Sequence, residues 1–204
     1  MANALVYRQK DPAEYAPRVE EVVRKDLGAV SPVKYVVHET GNRSSLGGTM
    51  LRQAFGGAVA MAEITFELPW RRQATLTAMA EQTGVVMAVI DLVYDFELER
   101  AVAAPIELQR KRFVATDPSA SATADRLNAQ PGLVDRLRKV LNDHVMVNMK
   151  IVTVEPVVRI VPDGAGSRLQ IRTLAKLGGI VIANATTNAA AFVALAREID
   201  PLVG

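Results

Sequence analysis

Apolar residues recur every three to four positions in several parts of the chain, a spacing that predicts amphipathic helices. The clearest segments are residues 11–28, 131–142 and 188–203. In "PGLVDRLRKVLN" (131–142), Leu137 falls on the apolar face and Arg138 falls outside it. We therefore expect Leu137 to be buried against the hairpin that follows, and Arg138 to tolerate substitution.

Other segments are rich in β-branched residues or alternate between apolar and polar positions, which predicts strands. The predicted strands cover residues 31–39, 58–68, 85–102, 106–116, 144–155, 156–162 and 168–175. Residues 85–102 are too many for one flat strand, so we expect a bend near Asp91 or Asp95. In 106–116, arginines share a face with apolar residues, which is typical of an edge strand. The loop "DGAGS" (163–167) is expected to join the last two strands as a hairpin.

Proline and glycine mark further helix ends. Asp117 followed by Pro118 is typical of a helix N-terminus. The segment "WRRQATLTAMAEQTG" (70–84) is predicted to be a helix that ends at Gly84. Helices thus alternate with both single strands and hairpins along the chain, rather than with single strands alone.

This order of elements favours an α+β fold: a mixed or antiparallel sheet with amphipathic helices packed on it. A chain of 204 residues is long enough for one large domain with its own core. We expect a single domain over 1–204, with a soft division into 1–104 and 105–204.

Two glycine pairs flank an apolar segment in "SSLGGTMLRQAFGGAVAMAE" (44–63). The segment lacks the lysine of a phosphate-binding loop and the glycine spacing of a dinucleotide fingerprint. Charged residues interrupt it, which disfavours a membrane-spanning helix pair. We interpret 46–55 as a short helix that ends at Gly56 and Gly57. A helix that contacts a membrane surface or a partner, and an anion-binding loop, are the alternatives.

The second half of the chain carries four parts in a recognisable order: "QRKRFVATDPSASATADRLN", "PGLVDRLRKVLN", "VVRIVPDGAGSRLQI" and "NAAAFVALAREI". Through these parts, residues 106–199 resemble a domain found in uncharacterised bacterial proteins. Those proteins often carry membrane helices before this unit, and no stretch of about 18–20 uncharged apolar residues occurs here. The resemblance implies an arrangement of elements and no particular activity.

Composition narrows the function classes. The chain contains no cysteine, which excludes disulfides, thiolate nucleophiles and cysteine-held metals or clusters. Its start at Met1 lacks the basic and then apolar pattern of a secretion signal, so we expect a cytoplasmic protein. The net charge of +2 results from 24 basic and 22 acidic residues, and this balance gives no argument for nucleic acid binding.

Basic residues nevertheless cluster at 71–73, 109–112 and 135–139. The candidate patch consists of Arg71, Arg72, Arg110, Lys111 and Arg112. A nucleic acid would require these clusters on one face together with stacking aromatics. Only Trp70 and Phe113 lie beside them in the sequence, so a solvated surface is the simpler interpretation.

The densest group of potentially catalytic side chains lies in one predicted loop after a strand: His38, Glu39, Arg43, Ser44 and Ser45. A histidine near serines can support nucleophilic chemistry, but no nucleophile elbow surrounds either serine. His144 beside Asp143 could offer two metal ligands, yet the chain has only two histidines, far apart. The sequence therefore predicts neither a metal nor a cofactor, and it leaves open whether the protein is an enzyme.

Residues 177–196 contain no charged side chain, which is more apolar than a short surface helix requires. Such a segment suggests contact with another subunit. We accordingly expect a non-catalytic binding or assembly module that forms a homo-oligomer through 177–196. An enzyme or small-ligand-binding protein that uses the His38–Ser45 loop is one alternative, and a nucleic-acid accessory protein that uses the basic clusters is another.

Overall fold

The fold is α+β, with one antiparallel sheet and helices packed against it. The computed structural model describes residues 6–7, 21, 23–25, 27, 34–38, 59–68, 70–83, 86–142, 157–173, 176–178, 184–186 and 189–204. The predicted fold class is confirmed.

The strands have the following bounds: β1 Val6–Tyr7, β2 Lys34–His38, β3 Val59–Glu67, β4 Gln73–Thr83, β5 Val86–Leu98, β6 Ile106–Gln109, β7 Arg112–Ala115, β8 Val157–Asp163, β9 Gly166–Thr173, β10 Lys176–Gly178 and β11 Asn184–Thr186. The helices are α1 Ser121–Ala129, α2 Leu133–Asn142 and α3 Ala189–Ile199. Short 3-10 turns cover Pro118–Ala120 and Asp200–Leu202. Residues 21, 23–25 and 27 are also helical.

Nine of the described strands form one sheet in the order β2-β3-β4-β5-β9-β8-β6-β7, with β1 paired to β5. Each of these pairings is antiparallel. Because β5 pairs with β9, the sheet contains strands from both sides of residue 104. The assignment of the chain to a single domain stays a prediction.

The two faces of the sheet differ in polarity, because successive side chains of a strand point to opposite sides. One face, the core face, is apolar and buried; it includes Ile64, Phe66, Leu76, Leu92, Tyr94, Phe96, Ile106, Phe113, Val158, Ile160, Leu169 and Ile171. The opposite face, here called the open face, carries threonines, carboxylates and arginines such as Thr75, Asp95 and Arg168, and it is partly exposed.

The helices cover the core face with their own apolar residues. Leu127 of α1, Leu137 of α2 and Phe192 of α3 are fully buried. Tyr94 of the sheet lies with its ring centroid 5.0 Å from that of Phe192. This packing confirms the predicted amphipathic character of 131–142 and the burial of Leu137, whose predicted contact with the hairpin that follows stays a prediction. In the N-terminal helical segment, Val23 is likewise buried.

The predicted helix over 70–84 is wrong, because this region forms strand β4. Its residues pair with β3 on one side and β5 on the other. Ala74 and Leu76 are fully buried while Thr75 and Thr77 are not, which is the two-residue period of a strand. The hydroxyls of Thr75 and its register partner Thr65 lie 3.4 Å apart. The alanines favour a helix locally, but two neighbouring strands override that propensity.

The single strand predicted over 106–116 is also wrong in part. The segment is a hairpin of β6 and β7, and Gln109 pairs with Arg112 across its turn. β7 does lie at the edge of the sheet order. Arg112, however, lies on the open face with Gln109 and does not share the face of Ile106 as predicted. The hairpin at 163–167 is confirmed, with Gly164 in its turn at φ 58°. In β5, the pairing with β4 skips Ile90, next to Asp91 where the bend was predicted.

Several predicted features lie outside the described residues. These are the short helix at 46–55 with Gly56 and Gly57, and the strand over 144–155. The C-terminal helix is confirmed as α3, followed by the 3-10 turn that contains Pro201.

Candidate functional site

The turn between β6 and β7 carries three consecutive cations, Arg110, Lys111 and Arg112, and is named here the basic turn. All three side chains are exposed. Arg110 lies at φ 56°, in the left-handed region that costs a non-glycine residue about 1–2 kcal/mol. Among the described residues, no carboxylate forms an ion pair with any of the three. The hairpin therefore presents, in one short turn, three charges that no carboxylate of the described part of the chain neutralises.

An open depression of about 570 Å³ lies at the basic turn. It is lined by the three cations together with Gln109 and Val114. Gln109 pairs with Arg112, and Val114 pairs with Glu107 of the open face, so these side chains belong to the open face at its edge. The depression thus combines positive charge with an amide and a small apolar wall.

The hairpin is fixed against the rest of the molecule through α1. The backbone N–H of Phe113 donates to Oδ1 of Asn128 at 2.7 Å, and Nδ2 of Asn128 donates to the carbonyl of Phe113 at 2.9 Å. Phe113 itself is fully buried on the core face. The basic turn therefore projects from a strand that is held on both of its edges, by β6 and by α1.

The open face continues from the basic turn toward β8. Glu107 of β6 pairs with Arg159 of β8, which in turn pairs with Gln170 of β9. Nε of Arg159 donates to Oε1 of Gln170 at 2.6 Å. Arg159 is a fourth cation near this edge of the sheet, on the second strand from β7. Glu107 of β6 lies between Arg159 and β7 in the register.

Arg71 and Arg72, the other members of the predicted patch, lie elsewhere on the sheet. One row across the sheet contains Ile106, Ile160, Leu169, Phe96 and Ala74. From this row, Arg71 and Arg72 lie toward one end of the strands and the basic turn lies toward the other. Strands β5, β9 and β8 also separate the two turns. The predicted patch is thus divided into two distant turns.

The middle of the open face is occupied by an ion-pair network around Arg168. Its guanidinium contacts Asp95 at 2.6 Å, Asp163 at 3.2 Å and Glu97 at 3.8 Å. Burial alone would lower the pKa of Arg168, but the hydrogen bonds and charges of Asp95 and Asp163 outweigh it and raise the pKa above its ordinary value. Arg168 is therefore already neutralised, and the carboxylates around it make this part of the face unfavourable for an anion.

Of the predicted loop site, the structure describes one residue. His38 is the last residue of β2, and Glu39, Arg43, Ser44 and Ser45 lie outside the described residues, so their proposed grouping stays a prediction. His144 and Asp143 also lie outside them. Within the part of the chain that the structure describes, no group of three or more histidine, aspartate or glutamate side chains is arranged to hold a metal ion.

The three cations of the basic turn and the adjoining Gln109 fall in one cluster of the sequence, 109–112, whereas Val114 and Arg159 lie outside it. These residues join the turn only through the register of β6 with β7 and β8. The alternation of "IELQ" and "VVRIV" was the available signal, since it assigns Gln109 and Arg159 to the polar side of their strands.

None of the described helices is both long enough and apolar enough to cross a bilayer. Comparison of the chain with protein-family models, with curated proteins and with solved structures found no match.

Proposed function

We propose that this protein is a binding module without catalysis of its own, and that it binds an anionic partner at the basic turn. The observation that carries the proposal is the set of three adjacent, exposed cations that no described carboxylate neutralises. These cations line a depression on a hairpin that is hydrogen-bonded to α1 through Asn128.

The test compares charge removal at two places. The triple variant Arg110→Gln, Lys111→Gln, Arg112→Gln is matched by Arg71→Gln, Arg72→Gln, Lys139→Gln, which removes the same charge from exposed positions elsewhere. On a phosphate-bearing cation-exchange resin, we expect the first variant to elute at clearly lower salt than the second. Equal elution of the two variants would contradict the proposal, because retention would then follow net charge alone.

Self-association is a second candidate, favoured by one feature of α3. Several of its apolar residues belong to the hydrophobic core, since Ala189, Phe192 and Ala196 are fully buried. Its outward residues Ala190 and Ala194 are nevertheless uncharged and exposed. Ala194→Glu places a charge on this surface without entering the core. If the protein is an oligomer through α3, light scattering will detect a smaller, folded species for this variant; a monomeric wild type at tens of micromolar would contradict self-association.

A cytoplasmic location agrees with the absence of cysteine from the sequence.

A further inference from the structure

We propose that the ligand of the basic turn is a compact, phosphate-rich small molecule with linked phosphoryl groups, as in a tripolyphosphate chain. This inference rests on the proposed function, since it names the ligand class of the same site. It follows from the compactness of the cationic site and from the features that border it.

The cations are concentrated within three consecutive residues of one turn. Two are arginines, whose planar guanidinium groups bind two oxygens of one phosphoryl group at once, and the third is a lysine that acts as a point charge. Gln109 adds an amide N–H donor on the wall of the depression. A linked chain of phosphoryl groups carries several charges and many acceptor oxygens and can bind these donors together, whereas a single carboxylate carries one charge and two oxygens.

The volume of the depression fits a small molecule. Binding sites for small ligands measure about 300–1,000 Å³, and the depression at the basic turn measures about 570 Å³. Val114 on its wall provides apolar contact beside the charged groups.

The surrounding open face opposes a long polyanion. Glu107, the register partner of Val114, borders the depression and lies next to Arg159, and the Asp95–Arg168 network lies farther along the same face. A nucleic acid strand that crossed the sheet would approach these carboxylates. The only other described turn with adjacent arginines, at Arg71 and Arg72, lies at the opposite end of the strands and cannot extend the site.

The open face also offers no described aromatic side chain on which bases could stack. Phe66, Tyr94, Phe96 and Phe113, the aromatic residues of the sheet whose side chains are described, are all buried on the core face. Binding of single strands relies on such stacking for about 1–3 kcal/mol per base. Charge and surface chemistry together therefore favour a compact ligand over an extended nucleic acid.

The experiment measures affinity by calorimetry at constant ionic strength with defined probes. These are inorganic orthophosphate, pyrophosphate and tripolyphosphate, a single-stranded and a duplex oligonucleotide, a hexaglutamate peptide, and vesicles that contain anionic phospholipid. Wild type is compared with the Arg110→Gln, Lys111→Gln, Arg112→Gln variant and with the matched Arg71→Gln, Arg72→Gln, Lys139→Gln variant.

We expect affinity to rise from orthophosphate to tripolyphosphate and to exceed that for the other probes. The basic-turn variant should lose about tenfold or more in tripolyphosphate affinity, while the matched variant stays near wild type. Tighter binding of an oligonucleotide, the peptide or vesicles through the basic turn would overturn the compact ligand and leave the anion-binding function standing. If no probe distinguishes the two variants, both the ligand class and the proposed function are wrong.

Discussion

The side-chain amide of Asn128 pairs with the backbone of Phe113 as a neighbouring strand would. Phe113 N–H donates to Oδ1 at 2.7 Å, and Nδ2 donates to Phe113 O at 2.9 Å. Strand β7 is the last strand of the sheet order, and its unpaired backbone groups could otherwise bind another chain. Asn128 occupies those groups at Phe113 and fixes α1 beside the hairpin that carries the basic turn.

Removal of this contact should weaken the edge. Asn128→Ala leaves two partly buried backbone groups without their partners, so we expect the free energy of unfolding to fall by about 1–3 kcal/mol. Urea denaturation measures this loss, and light scattering under mild heat should show faster aggregation. The exposed neighbour Asp125, substituted as Asp125→Ala, is the control and should change little. An Asn128→Ala variant as stable as this control would contradict the role assigned to the amide.

The inward face of α2 gives a second test. Leu137 is fully buried, so Leu137→Ala should cost about 2–5 kcal/mol through lost burial and the cavity that remains. Lys139→Ala, at an exposed position of the same helix, should change the unfolding free energy by less than about 0.5 kcal/mol. Denaturant titration measures the unfolding free energy of both variants. Similar losses in the two would show that Leu137 does not lie on the buried face of the helix.

The sequence predicted most of the architecture because local patterns and tertiary contacts agree there. In α2 the apolar period and the position of Leu137 lead to the same buried face. In the β8–β9 hairpin, Gly164 adopts the positive φ that the turn requires. The sequence "DGAG" is typical of such a turn. Such agreement between levels allows prediction from sequence alone.

Elsewhere the deciding contacts are distant in sequence. Strand β4 has helix-favouring residues but lies between β3 and β5, and only the sheet reveals this. The β6–β7 hairpin was missed because "LQRKRF" contains none of the usual turn residues and instead places Arg110 in the left-handed region. The same long-range register brings Gln109 and Val114 to the candidate site and moves Arg71 and Arg72 away from it.

The conformation of Arg110 predicts that a substitution there can stabilise the fold and weaken anion binding at the same time. Arg110→Gly relieves the cost of positive φ and should raise the unfolding free energy by about 1 kcal/mol, while it removes one of the three cations and weakens anion binding. Arg71→Gly is a matched control, because Arg71 lies at φ 62° in the β3–β4 turn. It should also stabilise the protein, as measured by thermal unfolding, but leave anion binding unchanged. Weakened anion binding in both variants would show that binding is not specific to the basic turn.

Asp117 should make a small, pH-dependent contribution before α1. Its carboxylate accepts hydrogen bonds from the hydroxyl of Ser119 at 2.6 Å and from the Ser119 N–H at 2.9 Å. The side-chain bond first, and then the backbone bond, lowers the pKa of Asp117 below its ordinary value of 3.8. Because the pKa of Asp117 is lower in the folded than in the unfolded protein, its ionised carboxylate stabilises the fold at pH values above the unfolded-state pKa of 3.8. This stabilisation is lost as the pH falls below 3.8 and through the folded-state pKa.

The melting temperature should therefore fall in Asp117→Ala near neutral pH, and the difference from wild type should shrink as the pH is lowered below 3.8. Asp125→Ala, at an exposed residue outside this cap, serves as the comparison. A difference for Asp117→Ala that does not change with pH would show that the ionised carboxylate is not the stabilising form.

Whether the basic turn binds a compact anion can be read from a map of where tripolyphosphate binds. Amide NMR spectra of isotope-labelled protein, recorded during a titration at constant ionic strength, report each backbone N–H separately. We expect saturable shifts confined to the basic turn and its lining residues Gln109 and Val114, with no comparable shifts at Arg71 and Arg72. Shifts of equal size at both turns, or saturable shifts elsewhere with the basic turn unchanged, would contradict this expectation.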